Sequence, residues 1–185
     1  MIEDVLSNTE AKMAKAVSAV ERDLDSVRTG RASVKLLDNV KVDYYGTPTP
    51  LDQVASISIP EARMIVIQPW DKSIVPGIEK AILKSDLGLN PSTQGNVIRL
   101  QIPELTEERR KELVKIVKKK VEDGRISVRN IRRSSLERLR EMKKDKEISE
   151  DDEKRAEKRL QEITDDSIGT VDEVGAGKEK EVMEE

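Results

Sequence analysis

Apolar residues along the first thirty positions fall at helical spacing. Met13, Val17, Val20, Leu24 and Val27 follow one another at steps of four, three, four and three. That is the repeat of a coiled-coil-like seam, and it predicts a helix over residues 2–28. Thr29-Gly30 should end it, because glycine takes the left-handed backbone that stops a helix. From residue 31 the period drops to two. Val40, Val42 and Tyr44 alternate with Lys41, Asp43 and Tyr45, a strand signal. Gly46-Thr47-Pro48-Thr49-Pro50 reads as a turn, and Ser56 to Pro60 alternates again. Met64-Ile65-Val66-Ile67-Gln68 reads as a buried strand closed by Pro69. A short helix follows over Ser73–Ser85, with Ile78, Ile82 and Leu83 on one side and Gly88 closing it. Asn90-Pro91 through Gly95-Asn96 has turn chemistry, and Val97 to Ile102 is a last strand ending at Pro103.

The longest regular stretch runs from Thr106 to about Lys146 without a proline. Thr106 is placed to cap its first turn, and Glu107 and Glu108 sit favourably against the N-terminal dipole. About 40 residues at 1.5 Å each make a rod of roughly 60 Å. Its apolar stripe of Val117, Val121, Val128, Ile131 and Leu139 needs partners to cover it. The first helix is one. The other starts after Ser149, where Ser149 and Asp152 have capping-box spacing. It carries Ala156, Leu160, Ile163 and Ser167 toward Val171 and Val174. Gly169, Gly175 and Gly177 each weaken a helix by about 1 kcal/mol relative to alanine, so its end is expected to fray or bend. The pattern predicts an α+β protein. Residues 1–30 and 105–185 form an elongated three-helix bundle, and residues 31–104 form a small β/α/β domain inserted between its first two helices. Two thin crossings, near Arg28–Arg31 and Pro103–Thr106, make a hinge between the two.

Charge sharpens this picture. The net charge is only −3 over 185 residues, but 38% of side chains are charged, suited to long solvated helices. Residues 106–146 hold 16 basic and 8 acidic side chains, whereas residues 147–185 hold 6 and 15. The rod is therefore the cationic element and the last helix its acidic counterpart. Tyr44, Tyr45 and Trp70 are the only aromatic residues, so the cores must be aliphatic. With neither cysteine nor histidine, the chain lacks disulfides, thiolate metal sites, a thiol nucleophile and the usual general base. No apolar run is long enough to span a bilayer and the N-terminus carries acids early, so a soluble, intracellular protein is expected.

At 100° per residue, Arg125, Arg129 and Arg132 share an arc of roughly 60° on the rod. Lys118 and Lys143 lie in it, and Arg133 and Arg140 lie just beyond. Arginine suits this position for phosphate recognition because its planar fork grips oxygens bidentately and stays charged. The same spacing also fits a solvated bundle face, partly neutralised by the acidic last helix. With so few rings for base stacking, structured RNA read through its phosphates and ribose hydroxyls is the better ligand than single strands. One of Tyr44 and Tyr45 is expected to pack inward, and Trp70 reads as a packing residue. The carboxylates at Glu150–Glu153 and Asp165-Asp166 lack metal-loop spacing. No nucleophile, base and oxyanion site assembles, so neither a catalytic centre nor a cofactor is expected.

Several blocks, in order, resemble the bacterial-type ribosome recycling factor family over essentially the full chain. They are Arg28-Thr29-Gly30-Arg31-Ala32-Ser33, Tyr44-Tyr45-Gly46 with Thr49-Pro50-Leu51, and Ile78-Glu79-Lys80-Ala81-Ile82 leading to Ser85-Asp86-Leu87-Gly88-Leu89-Asn90-Pro91. Leu105-Thr106-Glu107-Glu108-Arg109-Arg110 and Val128-Arg129-Asn130-Ile131-Arg132-Arg133 complete the set. The resemblance implies a three-helix bundle and an inserted domain arranged as an L. It implies a monomeric cytoplasmic translation factor that acts on the 70S post-termination ribosome with elongation factor G and GTP. Subunits would then separate, and messenger and deacylated transfer RNA would leave. It further implies that Arg129, Arg132 and Arg133, with Arg28 and Arg110, face large-subunit ribosomal RNA, and that Gly30, Leu105 and Thr106 form the hinge. Where the family usually has an acid and a small residue after the arginine pair, this chain has Ser134-Ser135. A helical adaptor binding proteins through the insert is the alternative reading, distinguished by salt-insensitive binding and no association with ribosomes.

Overall fold

The computed structural model describes residues 1–184. In chain order it contains α1 (Ile2–Asp25), β1 (Lys41–Tyr44), β2 (Thr47–Pro50), β3 (Ala55–Glu61), β4 (Met64–Pro69) and α2 (Val75–Lys84). These are followed by β5 (Pro91–Gln94), β6 (Val97–Gln101), α3 (Glu107–Lys144) and α4 (Glu150–Met183). Two compact units result: α1, α3 and α4 in one, and Gly30–Thr106 in the other. The fold class is α+β.

In the helical unit, α3 runs antiparallel to both α1 and α4. Met13 of α1, Val128, Leu139 and Met142 of α3, and Leu160 of α4 are almost completely buried together. Each such side chain contributes about 1.5–3 kcal/mol on burial. The buried seam of α1 begins earlier than the sequence pattern indicated, at Leu6 and Thr9, while Val17 is only half-buried. Thr9 is tolerated inside because its hydroxyl donates to the Val5 carbonyl at 2.7 Å. That uses its only proton, so the 2.6 Å contact with Ser135 has Ser135 as donor.

Both ends of the α3–α4 link are chemically specified. Lys146 takes a left-handed φ of 60°, with Lys146 N–H donating to the Lys143 carbonyl and Glu147 N–H to that of Met142. This is a Schellman stop built without glycine. Ser149 then starts α4 with a full capping box: Asp152 N–H donates to Ser149 Oγ at 3.0 Å, and Ser149 N–H to Asp152 Oδ2 at 3.2 Å. Two expectations fail here. Helix α1 stops at Asp25 with Ser26 still in right-handed conformation, so Gly30, at φ 77°, shapes the later turn and does not terminate the helix. Helix α4 runs unbroken through Gly169, Gly175 and Gly177 to Met183, and of the three only Gly175 is packed against another helix, beneath Val121.

The second unit pairs β3-β4-β6-β5 in an antiparallel sheet and β1-β2 in a separate hairpin. Ile65 and Ile67 of β4 and Ile98 and Leu100 of β6 alternate inward, and Ile78 and Ile82 of α2 meet them in one aliphatic core. Leu83, expected on the same side as Ile78, is instead exposed. Two stretches expected to be turns are strands. Thr47–Pro50 pairs with β1, and only Tyr45-Gly46 turns, both at positive φ. Pro91–Gln94 pairs with β6 as the outer strand. Proline is admissible in both because neither strand has neighbours on two sides.

Candidate nucleic-acid interface

Helix α3 carries fifteen basic and seven acidic side chains. Leu113, Val117, Val121, Val128, Leu139 and Met142 turn one side inward, and this fixes where the cations project. The arginines then divide by what α4 and α3 offer them.

Arg125 is a structural tie. Its guanidinium gives Asp172 of α4 two bonds, Nε at 2.7 Å and Nη2 at 2.6 Å, and Nη1 reaches Glu122 at 3.0 Å. Hydrogen bonds donated to Glu122, then to Asp172, raise its pKa above the ordinary arginine value. Only about a third of the side chain, 32%, is exposed. The arc reading grouped it with the phosphate-facing residues, but its partner lies 47 positions away on another helix. Helical spacing alone holds no trace of that pairing.

Arg129 is half-exposed, at 50%, and reaches Glu122 only at 3.5 Å, a loose contact of small energetic weight. Arg132 and Arg133 have no ion pair among the described residues. Arg133 is exposed and Arg132 half-buried at the edge of the core. Thus one turn of α3 presents two unneutralised guanidinium groups and a third held weakly. The Ser134-Ser135 departure leaves this face intact. Ser135 meets Thr9 of α1 at 2.6 Å and fastens α3 to that helix.

Arg28 is exposed just beyond α1, and Arg110 is half-buried at the start of α3. Nineteen helical residues separate Arg110 from Arg129, about 28 Å of rise. Arg110 therefore does not join the Arg129–Arg133 cluster. The carboxylates that sequence spacing left without a metal role have local partners: Asp152 caps α4 and Asp165 accepts from Gln161 at 2.8 Å. Among the described residues no cluster of acidic side chains has metal-holding geometry, and no helix is long and apolar enough to cross a membrane.

The residues expected at the hinge lie at the margin of the sheet unit. Gly30 at φ 77° backs onto Leu105, whose Cγ would stand 3.0 Å from a Cβ added there. The β3–β4 turn holds both chain passages: Ala32 N–H donates to the Ala62 carbonyl at 2.7 Å, and Ile102 N–H to that of Arg63 at 2.8 Å. Arg63 also pairs with Glu104 at 2.5 Å. Thr106 is exposed immediately before α3. This double fastening went unrecognised in the sequence, since Ala62-Arg63 carries no motif.

Comparison with known proteins extends these observations. Residues 20–183 match the family described as ribosome recycling factor. The ribosome-recycling factor of Syntrophomonas wolfei subsp. wolfei is 56% identical over 184 residues, covering 100% of both chains. That of Halothermothrix orenii is 55% identical with the same coverage. A solution structure of a ribosome recycling factor aligns at a TM-score of 0.80 and 47% identity, covering 98% of this chain and 97% of that one. The T. thermophilus factor, in models with E. coli elongation factor G bound to the E. coli post-termination complex, aligns at a TM-score of 0.68. It shares 43% identity over 100% of both chains.

Proposed function

The chain belongs to the ribosome recycling factor family, and from that premise we propose that it splits the post-termination 70S ribosome into subunits together with elongation factor G and GTP. Messenger RNA and deacylated transfer RNA leave as a consequence. The observation that carries this reading is the unneutralised pair Arg132 and Arg133, in a bundle whose Arg125 is closed off by Glu122 and Asp172. These two cations are left open to an external anion, and phosphate oxygens of large-subunit ribosomal RNA would supply acceptors that the chain itself does not.

Arg129, Arg132 and Arg133 grip the RNA in this mechanism, and Arg28 and Arg110 lengthen the contact. The sheet unit, 31–104, receives the push, and Gly30, Leu105 and Thr106 bend between it and the bundle, 1–30 with 105–185. The work comes from GTP hydrolysis on the partner, so this chain acts without a catalytic centre or cofactor, as a cytoplasmic monomer. Binding energy at the arginines resists displacement, and force on the second unit passes into intersubunit contacts.

Sucrose-gradient sedimentation of post-termination ribosomes tests the proposal. Free subunits are expected only when this protein, elongation factor G and GTP are all present. Subunits appearing equally without this protein, or ribosome binding insensitive to added salt, would refute it.

A further inference from the structure

We propose that the corner of the sheet unit carrying Tyr45 and Trp70 is a docking site for an arginine-bearing protein segment. This assignment concerns the sheet unit alone and is independent of the RNA contact on α3.

The aromatic residues of the chain number three, and none is spent on a core centre. Tyr44 packs half-buried against the aliphatic cluster, but Tyr45 is 80% and Trp70 69% exposed. Trp70 thereby departs from the packing role its sequence context indicated. Tyr45 occupies the first turn position of the β1–β2 hairpin at φ 50°, with Gly46 at φ 83°. Such turns favour asparagine or glycine there, and a bulky side chain in that region is an outlier that the surroundings must hold in place.

The surroundings do so. Tyr45 Oη donates to Asp71 Oδ2 at 3.2 Å, and the Tyr44 ring meets it edge-on with centroids 4.6 Å apart. Asp71 Oδ1 accepts from Ser73 N–H at 2.9 Å and from Ser73 Oγ at 2.7 Å. Those bonds hold the Asp71 carboxyl below the usual aspartate range, while the bond to Asp71 raises the Tyr45 phenol above its ordinary value. The result is a strained, oriented ring beside a permanent carboxylate, with a second exposed ring on the residue preceding that carboxylate.

The chemistry of the occupant follows from that juxtaposition. Guanidinium stacks on aromatic faces and donates to carboxylate, so one arginine uses the rings and the lone pair of Asp71 Oδ2 that Tyr45 leaves open. Stacked nucleobases would use the rings but would bring phosphates toward Asp71 and the exposed Asp43, with Lys72 the only cation in residues 42–48 and 69–73. The charge at this corner therefore selects a basic protein segment over RNA.

Trp70 is the chain's single tryptophan, so its fluorescence reports on this corner in the intact protein. The full chain is titrated with nona-arginine, nona-lysine and nonauridylate. Nona-arginine is expected to shift Trp70 emission saturably, nona-lysine more weakly, and nonauridylate not at all. Asp71→Asn and Tyr45→Asn should each weaken the nona-arginine response about threefold. Tyr45→Asn restores the preferred Asn-Gly turn, so its loss of binding cannot arise from misfolding. A Trp70 response to nonauridylate as strong as to nona-arginine overturns the proposal, as does an unresponsive Trp70 or an undiminished response in both variants.

Discussion

Val121 of α3 sits directly over Gly175 of α4: a Cβ built at position 175 would stand 2.4 Å from Val121 Cγ2. The same relationship recurs between Gly124 of α3 and Val20 of α1, where the gap would be 2.3 Å. Both glycines are buried within helices, where propensity alone disfavours them. They persist because the facing valines, stiff at χ1 in a helix, occupy the space a methyl would need.

Replacing Gly175 with alanine sets two effects against each other. Helix propensity favours alanine by about 1 kcal/mol, but forcing a methyl into this packing costs about 1–3 kcal/mol. A net loss of up to about 2 kcal/mol is expected. Gly169 and Gly177 have no neighbour within 4 Å of an added Cβ, so alanine there should stabilise by up to about 1 kcal/mol. Urea melts followed by circular dichroism separate the cases. If Gly175→Ala melts higher than the parent, the packing explanation is wrong.

That contrast also marks what the sequence could and could not reveal. Three long helices were legible because Met13, Val20 and Leu24, and later Val117, Val121 and Val128, repeat at helical spacing. The central strands were legible from the alternation of Ile65 with Ile67 and Ile98 with Leu100. Strands β2 and β5 were not, since Pro48, Pro50 and Pro91 read as turns until an unpaired edge makes proline harmless. The arginine face was legible as composition and family likeness. Its division into the tied Arg125 and the open Arg132 and Arg133 depends on Asp172, a residue brought near only by folding. Glycine 175 read as a weak point for the same reason: its partner is on another helix.

The Ser149 cap should make α4 sensitive to acid. Hydrogen bonds from Ser149 Oγ–H and N–H hold the Asp152 carboxyl below its ordinary value. A depressed folded-state pKa adds stability that is present above the unfolded value, near 3.9, and lost as pH falls through the lower folded one. Asp152→Asn should therefore flatten the dependence of the melting temperature on pH below about 4. Ser149→Ala should cost about 1 kcal/mol at neutral pH. An unchanged acid limb in Asp152→Asn would show that other carboxylates dominate that range.

Gly30→Ala tests the expected hinge chemically. Alanine at φ 77° is disfavoured by about 1–2 kcal/mol, and its methyl would press on Leu105 Cγ at 3.0 Å. The variant is expected to melt lower while retaining Arg132 and Arg133 in place, so ribosome affinity should hold while subunit splitting slows. Rapid-mixing light scattering gives the splitting rate, and filter binding gives affinity. Equal losses in both would place Gly30 in the binding surface and remove it from the proposed hinge.

Arg132→Ala and Arg125→Ala should fail in opposite ways. Arg132 has no acid to lose among the described residues, so its removal leaves the bundle's melting temperature nearly unchanged. On the ribosome it forfeits a charge-assisted bond of about 1.5 kcal/mol, a roughly tenfold loss of affinity. It also lowers the slope of log affinity against log salt by about one. Arg133→Ala should behave alike, and the pair should add. Removing Arg125 instead leaves Asp172 without its α3 partner. Since Asp172 is 45% exposed, solvent softens the effect to about 1 kcal/mol of stability, with the salt slope of ribosome binding unchanged. Binding isotherms at three salt concentrations, beside thermal melts of each variant, distinguish the two roles. Should Arg125→Ala flatten the salt slope while Arg132→Ala leaves it alone, the division of the arginines between tie and RNA contact is reversed.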